Sequence, residues 1–425
     1  MKFTGTHVWM NGATATRLLV VVLFRLVHWV LLLESDLYAL IKRLLRPEQT
    51  LIEVFNLVGR FRIDETDAAR DSDFLIFHDY FTNFDEICES YWSVYHITES
   101  YVYLVKHENR GPADDENEKN KENAEPSIEK CSKLTRYLFN NAEKVARIKF
   151  DDFAKLARAL PPFRARVVMI HSTPCGGGTV AAKLLQSCDR SQRSLLVLGE
   201  PPALTSLALL LNVCSIERMR AITQATMRFC LLHQKPNQTV VLKARPCCTK
   251  LVPYVHSTCP SVHHVFISTR SPVDVITRLV LHTSLQMPVF SMTCWMMKNW
   301  PLLCDTFFSW RQLEAETVVK IGPTTEVEFA LAQVMGATIN YQRNLKYYAL
   351  DMVYVEDLMR ETASVIRPLL NVCDVSDLAI PECIEWKRSE ENVLRNVWDS
   401  FPLEEHDRLR TKLLVEFLQQ ECLQS

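Results

Sequence analysis

Between residues 167 and 355 the chain carries five short apolar runs: Val167-Val168-Met169-Ile170, Leu195-Leu196-Val197-Leu198, Val240-Val241-Leu242, Val265-Phe266-Ile267 and Met352-Val353-Tyr354-Val355. A strand covered on both faces reads as a continuous apolar run, whereas one with a wet face alternates. Helical patterns separate the runs, and strand–helix alternation of this kind specifies an α/β fold built on a doubly wound parallel sheet. In such sheets ligands bind beyond the carboxyl ends of the strands, so the residues that follow each run are the ones that can carry chemistry.

The first run ends at Ile170 and leads into His171-Ser172-Thr173-Pro174-Cys175-Gly176-Gly177-Gly178-Thr179, then Val180-Ala181-Ala182-Lys183-Leu184-Leu185 with apolar residues at helical spacing. The whole chain has only 10 glycines in 425 residues, so three in succession need a local reason. Glycines between a strand and a helix let backbone N–H groups curl around an anion. The start of the helix adds unpaired donors and the positive end of the dipole, and Thr179 adds a hydroxyl. A tight turn is the plainer reading of the same residues. No lysine precedes Thr179, and Lys183 lies on the helix, which disfavours the Walker A loop of an ATPase or kinase. Gly176 to Ala181 also fits the Gly-x-Gly-x-x-Ala pattern of an NAD-binding Rossmann oxidoreductase, with Glu200 as the ribose-binding acid. That fingerprint starts almost directly after its strand, however, and here five residues including Pro174 intervene.

The fourth run leads to Thr269-Arg270-Ser271-Pro272-Val273-Asp274-Val275-Ile276-Thr277-Arg278. Ser271 is a natural N-cap, Pro272 fits the first helical position and Asp274 completes a capping box. Arg270 is thereby set at a helix start beyond a strand end, where its fork of donors suits a phosphate.

With these residues in place the chain resembles the sulfotransferase family, which has a P-loop nucleoside-triphosphate-hydrolase type of fold and uses 3′-phosphoadenosine 5′-phosphosulfate. The glycine loop ending in Gly178-Thr179 resembles the family's 5′-phosphosulfate loop. Arg270-Ser271-Pro272-Val273-Asp274-Val275 resembles its Arg-x-Pro-x-Asp-Val 3′-phosphate motif. Val355-Glu356-Asp357-Leu358, followed by Leu369-Leu370-Asn371-Val372, is similar to its late Tyr-Glu-Asp-Leu segment, and Leu198-Gly199-Glu200-Pro201-Pro202 to the Glu-Pro turn of some branches. The likeness spans roughly residues 150 to 400. It implies that Cys175, Gly176, Gly177, Gly178 and Thr179 hold one end of the nucleotide, and Arg270, Thr277 and Arg278 the other. Three positions depart from the family: Cys175 stands where lysine or arginine is usual, Arg278 replaces a serine, and Val355 replaces a tyrosine. The function implied is transfer of a sulfuryl group to a hydroxyl or amine acceptor, carbohydrate among the candidates. The alternative is a catalytically degenerate relative that binds a nucleotide or a partner without turnover.

Sulfuryl transfer needs a cation near the bridging oxygen and a base for the acceptor hydroxyl. Lys243 and Arg245, after the third run, are the candidate cations, with Lys183 a further one. Glu200 is the candidate base, or else a carboxylate that fixes the Pro201-Pro202 turn. His171 is a second candidate base, although a histidine closing a buried strand is commonly a core residue. The aromatics Trp295, Trp300, Phe307, Phe308 and Trp310 read as the wall of an acceptor pocket or as a core helix. No His, Cys, Asp or Glu cluster has metal-ligand spacing, so no metal is expected.

Elsewhere the sequence is less specific. A formal net charge of −2 gives no reason to expect a nucleic-acid partner. The 14 cysteines are scattered and read mostly as small buried hydrophobes. Residues 1–106 are expected to be a helical, hydrophobic region in which 18–33 is either a short single-pass type II signal-anchor, with the body in the Golgi lumen, or a helix packed on a cytoplasmic body. Asn237-Gln238-Thr239 is a glycosylation sequon that matters only in a lumen. Residues 107–130, with Asp114 to Asn123 free of large apolar side chains, are expected to form a disordered linker. Helices are expected over 51–104, Ser132–Val145 and Asp151–Leu160, and the sulfotransferase-like unit over 131–425.

Overall fold

The computed structural model describes residues 12–45, 52–62, 67–107, 133–189, 194–272 and 308–390, with scattered positions between 275 and 305 and residue 415. The N-terminal part comprises α1 (Gly12–Leu45), β1 (Ile52–Arg60), β2 (Phe74–Thr82), α2 (Phe84–Ile87), β3 (Trp92–Ile97), β4 (Tyr101–His107), α3 (Leu134–Asn140), β5 (Ala142–Lys149) and α4 (Phe150–Ala159). The rest comprises β6 (Arg166–Ser172), α5 (Gly178–Cys188), β7 (Leu195–Gly199), α6 (Pro202–Leu210), α7 (Ile216–Cys230), β8 (Thr239–Lys243), α8 (Val252–Thr258), β9 (Val262–Ser268), a helix Glu326–Arg343, β10 (Val353–Tyr354) and helices Val355–Arg360, Thr362–Val372 and Ile380–Ser389.

All five apolar runs become strands of one parallel sheet, ordered β10-β9-β6-β8-β7. Its two faces are both covered, which is why the runs do not alternate. Val167, Met169, Val240 and Leu242 point to one side, where they pack with α4, α6 and α7. Val168, Ile170, Val241, Val265 and Ile267 point to the other, against α5 and the helices Val355–Arg360, Thr362–Val372 and Ile380–Ser389. The chain leaves β6 towards β7 and leaves β9 towards β10, in opposite directions. The switch in direction therefore falls between β6 and β9, whose carboxyl ends are the place where open α/β sheets bind ligands.

The expectation of helices over 51–104 fails: after α1, residues 52–107 form four strands of an antiparallel sheet ordered β2-β1-β5-β4-β3. Two features hid the period. This sheet is also covered on both faces, so Tyr101 to Val105 reads as continuous: Val102 and Leu104 face the shared core, Tyr103 and Val105 the opposite side. Acids on buried positions broke the remaining pattern. Glu53 is 7% exposed, held by Arg147 Nε at 3.0 Å and Arg43 Nη2 at 2.7 Å, and Asp73 accepts from Tyr95 Oη at 2.6 Å.

The helix expected over Ser132–Val145 stops at Asn140, and Ala142–Lys149 is β5, the middle strand of the antiparallel sheet. Residues beyond 131 thus complete the N-terminal sheet, and the sheets do not part where the sequence suggested. The same apolar cluster joins both: Ile52, Val94, Val102 and Ile148 pack with Val167, Leu207 and Val240. Nearly all of the linker expected over 107–130 lies outside the described residues, which omit 108–132.

The helix α1 docks on β2 through Val21, His28, Ser35 and Ala39, which are buried. Among the described residues no helix is long and apolar enough to cross a membrane. Asn237 of the sequon is exposed, and the Thr239 hydroxyl donates to Cys373 O at 2.7 Å.

Candidate anion-binding cleft

The loop between β6 and α5 is fixed at both ends. Thr173 N–H donates to Ile267 O at 3.3 Å, its hydroxyl pairs with Ser268 Oγ at 3.2 Å, and Gly176 N–H folds back onto Thr173 O at 3.0 Å. Cys175 and Gly177 take left-handed backbone angles, φ 53° and 89°. A Cβ on Gly176 would lie 2.1 Å from Thr173 Oγ1, one on Gly177 2.3 Å from Val355 Cγ2, and one on Gly178 2.4 Å from Ser172 Oγ. All three glycines are therefore demanded by packing. The turn they permit also brings the start of α5 to the carboxyl end of β6. Ala181 N–H already reaches back to Gly177 O at 3.1 Å. The amides of Gly178, Thr179 and Val180 precede it in the first turn and have no acceptor inside the helix, which leaves them for an anion.

Charge reaches this turn from the neighbouring strands. Lys243 ends β8 with only 7% exposure, and its Cε lies 3.8 Å from where a Cβ on Gly178 would stand. Its ammonium is paired with Glu200 Oε1, while Arg245 Nε stands 3.6 Å from Glu200 Oε2. Glu200 itself sits at φ 53°, with its N–H bonded to Lys243 O at 2.7 Å and its carbonyl accepting from the Thr135 hydroxyl at 2.8 Å. Burial alone raises the carboxyl pKa, but Lys243 and then Arg245 outweigh it and hold Glu200 at about 2. The carboxylate is thus ionised and its first task is to hold two cations beside the glycine turn.

Arg270 follows β9. Its N–H faces both oxygens of Glu356, at 3.2 and 3.3 Å, and its guanidinium pairs with Asp357 Oδ2 at 2.5 Å and lies 4.3 Å from the centre of the Tyr354 ring. The side chain remains 58% exposed. Tyr354 to Asp357 is one continuous segment whose Val355 abuts Gly177. One short stretch of chain therefore touches both the glycine turn and Arg270, and sets them at the same end of the same sheet.

Not every candidate joins the cleft. His171 is fully buried, with Nε2 3.1 Å from His264 Nδ1 and the Tyr348 ring beside it, and burial holds it at about 3. It is a core residue, and its candidacy as a base is withdrawn. Cys175 is exposed on the loop, and Thr179 and Lys183 are exposed on α5. Thr277 and Arg278 lie outside the described residues, as do Trp295 and Phe307; Trp300 is exposed and Phe308 fully buried. Residues that the sequence did not single out are Tyr354, which carries Arg270, and His264, which occupies His171. Among the described residues no cluster of His, Cys, Asp or Glu is arranged to hold a metal ion.

No family model matches this chain, and no curated protein does. Among solved structures it is similar to a sulfotransferase, STF9, from Mycobacterium avium, at 12% identity and a TM-score of 0.34 over 64% of this chain and 79% of that one. It is also similar to a sulfotransferase from Alicyclobacillus acidocaldarius, at 12% identity and 0.36 over 60% and 92%. A third is the sulfotransferase domain from the curacin biosynthetic pathway, at 13% and 0.28 over 51% and 75%. Values this low bear on neither the chemistry nor the role of any residue, so any function has to be argued from the cleft.

Proposed function

We propose that the protein transfers a sulfuryl group from 3′-phosphoadenosine 5′-phosphosulfate to a hydroxyl or amine acceptor. The observation that carries the reading is the convergence of first-turn α5 amides, the Lys243 ammonium and the Arg270 guanidinium at one end of a parallel sheet, tied together through Tyr354 to Asp357. Free amides and a buried cation suit the charged phosphosulfate end; an exposed guanidinium suits the 3′-phosphate.

The co-substrate supplies an activated sulfuryl group: its bond to the bridging phosphate oxygen breaks as the bond to the acceptor oxygen or nitrogen forms. Lys243 stabilises the charge that collects on the departing oxygen, the role for which Cys175 has no charge. The acceptor's proton goes to Glu200. A carboxylate held at about 2 takes a proton poorly. Drawing Lys243 towards the anion removes the larger of the two influences that depress Glu200, Arg245 being the other, and so raises its basicity when it is needed.

A second reading, nucleotide binding without turnover, is favoured by two observations: Arg270 is closed on Asp357, and Cys175 occupies the loop. Calorimetric titration with 3′-phosphoadenosine 5′-phosphate, followed by transfer of label from the sulfated nucleotide to carbohydrate, phenol and steroid acceptors, separates the two. Transfer supports the enzyme, binding without transfer supports the second reading, and no binding overturns both.

A further inference from the structure

The helix α1 carries two seven-residue registers on opposite sides. Facing the body are Val21, His28, Ser35 and Lys42. His28 Nδ1 meets Phe74 O at 2.7 Å, Ser35 Oγ accepts from His78 N–H at 2.8 Å, and Lys42 Nζ donates to Asp79 O at 2.7 Å. Facing away is a second series: Leu19, Leu23, Leu26, Val30, Leu33, Leu37, Leu40 and Leu44. These recur at strictly alternating steps of four and three, and all are between 52% and 76% exposed. Steps of four and three are the 3.5-residue repeat of a coiled-coil seam, in which leucine fills one of the two core positions throughout.

A helix that only had to cover β2 would need one apolar stripe. The outer stripe is longer, more regular and covered by nothing else in the described chain. The two residues that interrupt the apolar run in the sequence, Arg25 and His28, do not interrupt this seam. His28 is buried against β2, and Arg25 lies beside Arg70, Asp73 and Asp67, where burial lowers its pKa to about 10.

We infer that two copies of the chain pair through this seam of α1 as a coiled coil. The register is self-complementary, since the series of steps reads the same from either end, so steps of four meet steps of four and steps of three meet steps of three whichever way the helices run. The seam extends over roughly 38 Å of helix. At roughly 100 Å² apiece the eight side chains offer about 800 Å² per copy, the contribution of one partner to a stable interface. Val20, Val22, Val27, Trp29 and Ile41 extend the exposed apolar face on either side of the seam, and the acid in its middle is what fits a protein partner better than a lipid one. Glu34 is exposed beside the Leu33–Leu37 step, where a paired helix keeps it in water at the rim and a bilayer would have to take in its charge; Asp36, on the other side, is paired with Arg147 Nη2 at 2.6 Å.

The test uses the full chain. Light scattering coupled to gel filtration, from micromolar to tens of micromolar, is expected to give twice the 49.1 kDa chain mass. The double variant Leu26→Glu/Leu33→Glu is expected to run at the single-chain mass with unchanged circular dichroism, because the docked side of α1 is untouched. A wild-type mass of one chain overturns the inference, as does a double variant that stays paired. Flotation with phosphatidylcholine–phosphatidylserine vesicles reads the rival occupant: wild-type binding that the double variant loses, together with a single-chain mass in buffer, assigns the seam to lipid and also overturns it.

Discussion

Replacing Glu200 with glutamine probes the charge cluster where the proposed chemistry is most exposed to error. The carboxyl falls from 4.5 to about 2 in the folded protein. A depressed carboxyl contributes stability that is fully present above the unfolded pKa and is lost as pH falls towards the folded one. A displacement of this size corresponds to about 3 kcal/mol at neutral pH and roughly 1.5 kcal/mol at pH 3. Glu200→Gln leaves Lys243 buried without its partner, as protonation of Glu200 does, so that loss is already contained in the displacement; what distinguishes glutamine from a protonated carboxyl is the same at both pH values. The diagnostic quantity is therefore the change in the gap between wild type and variant. Urea unfolding followed by tryptophan fluorescence should show that gap about 2 kcal/mol narrower at pH 3 than at pH 7. A gap that does not move with pH would mean that Lys243 and Arg245 do not hold the carboxylate as described, and the account of Lys243 as a cation poised beside the glycine turn would go with it.

Arg270→Ala should weaken binding of 3′-phosphoadenosine 5′-phosphate by about 1.5–3 kcal/mol in the same calorimetric titration, the scale of a hydrogen bond to a charged group; unchanged affinity removes Arg270 from the site. Gly177→Ala should cost about 2–4 kcal/mol of stability, from a left-handed backbone and the overlap with Val355. Adding Val355→Ala should recover the steric part alone, so a double variant no better than the single would refute the contact. The thiols of Cys188 and Cys383 stand 2.9 Å apart between α5 and the helix Ile380–Ser389. A mild two-electron oxidant that takes one hydrogen from each should join them, detected as a linked peptide in a non-reducing digest; reaction of other thiols with no such link refutes the pairing.

What could be read in advance followed from how each residue is covered. The parallel strands were legible because both faces of that sheet are apolar, so Val167 to Ile170 and Val265 to Ile267 contain no polar interruption. The antiparallel sheet obeys the same physics but hides it: Glu53 and Asp73 occupy buried positions, and their compensation comes from Arg147 and Tyr95, far away in sequence. β5 was lost for a related reason, since Ala142 to Lys149 carries Glu143, Lys144 and Arg147 among its apolar residues and so passes for the continuation of a helix. At the cleft, the glycine turn and Arg270 could be singled out from local pattern alone. The pairing of Glu200 with Lys243 and Arg245 could not, because it depends on β7 lying beside β8. His171 was open to two readings, and only the arrival of His264 from the adjacent strand decides between them.

The placement of β5 bears on how this protein could be divided. The strand that closes the first sheet is supplied by residues 142–149, and it sits at the centre of the sheet rather than on its rim. A fragment ending before it would be left with two separate hairpins and a gap between them; a fragment beginning at 131 would carry an orphan strand with both edges bare. Neither half is a portable module. A single cut between β4 and β5 should instead yield two pieces that remain locked together, each supplying what the other lacks.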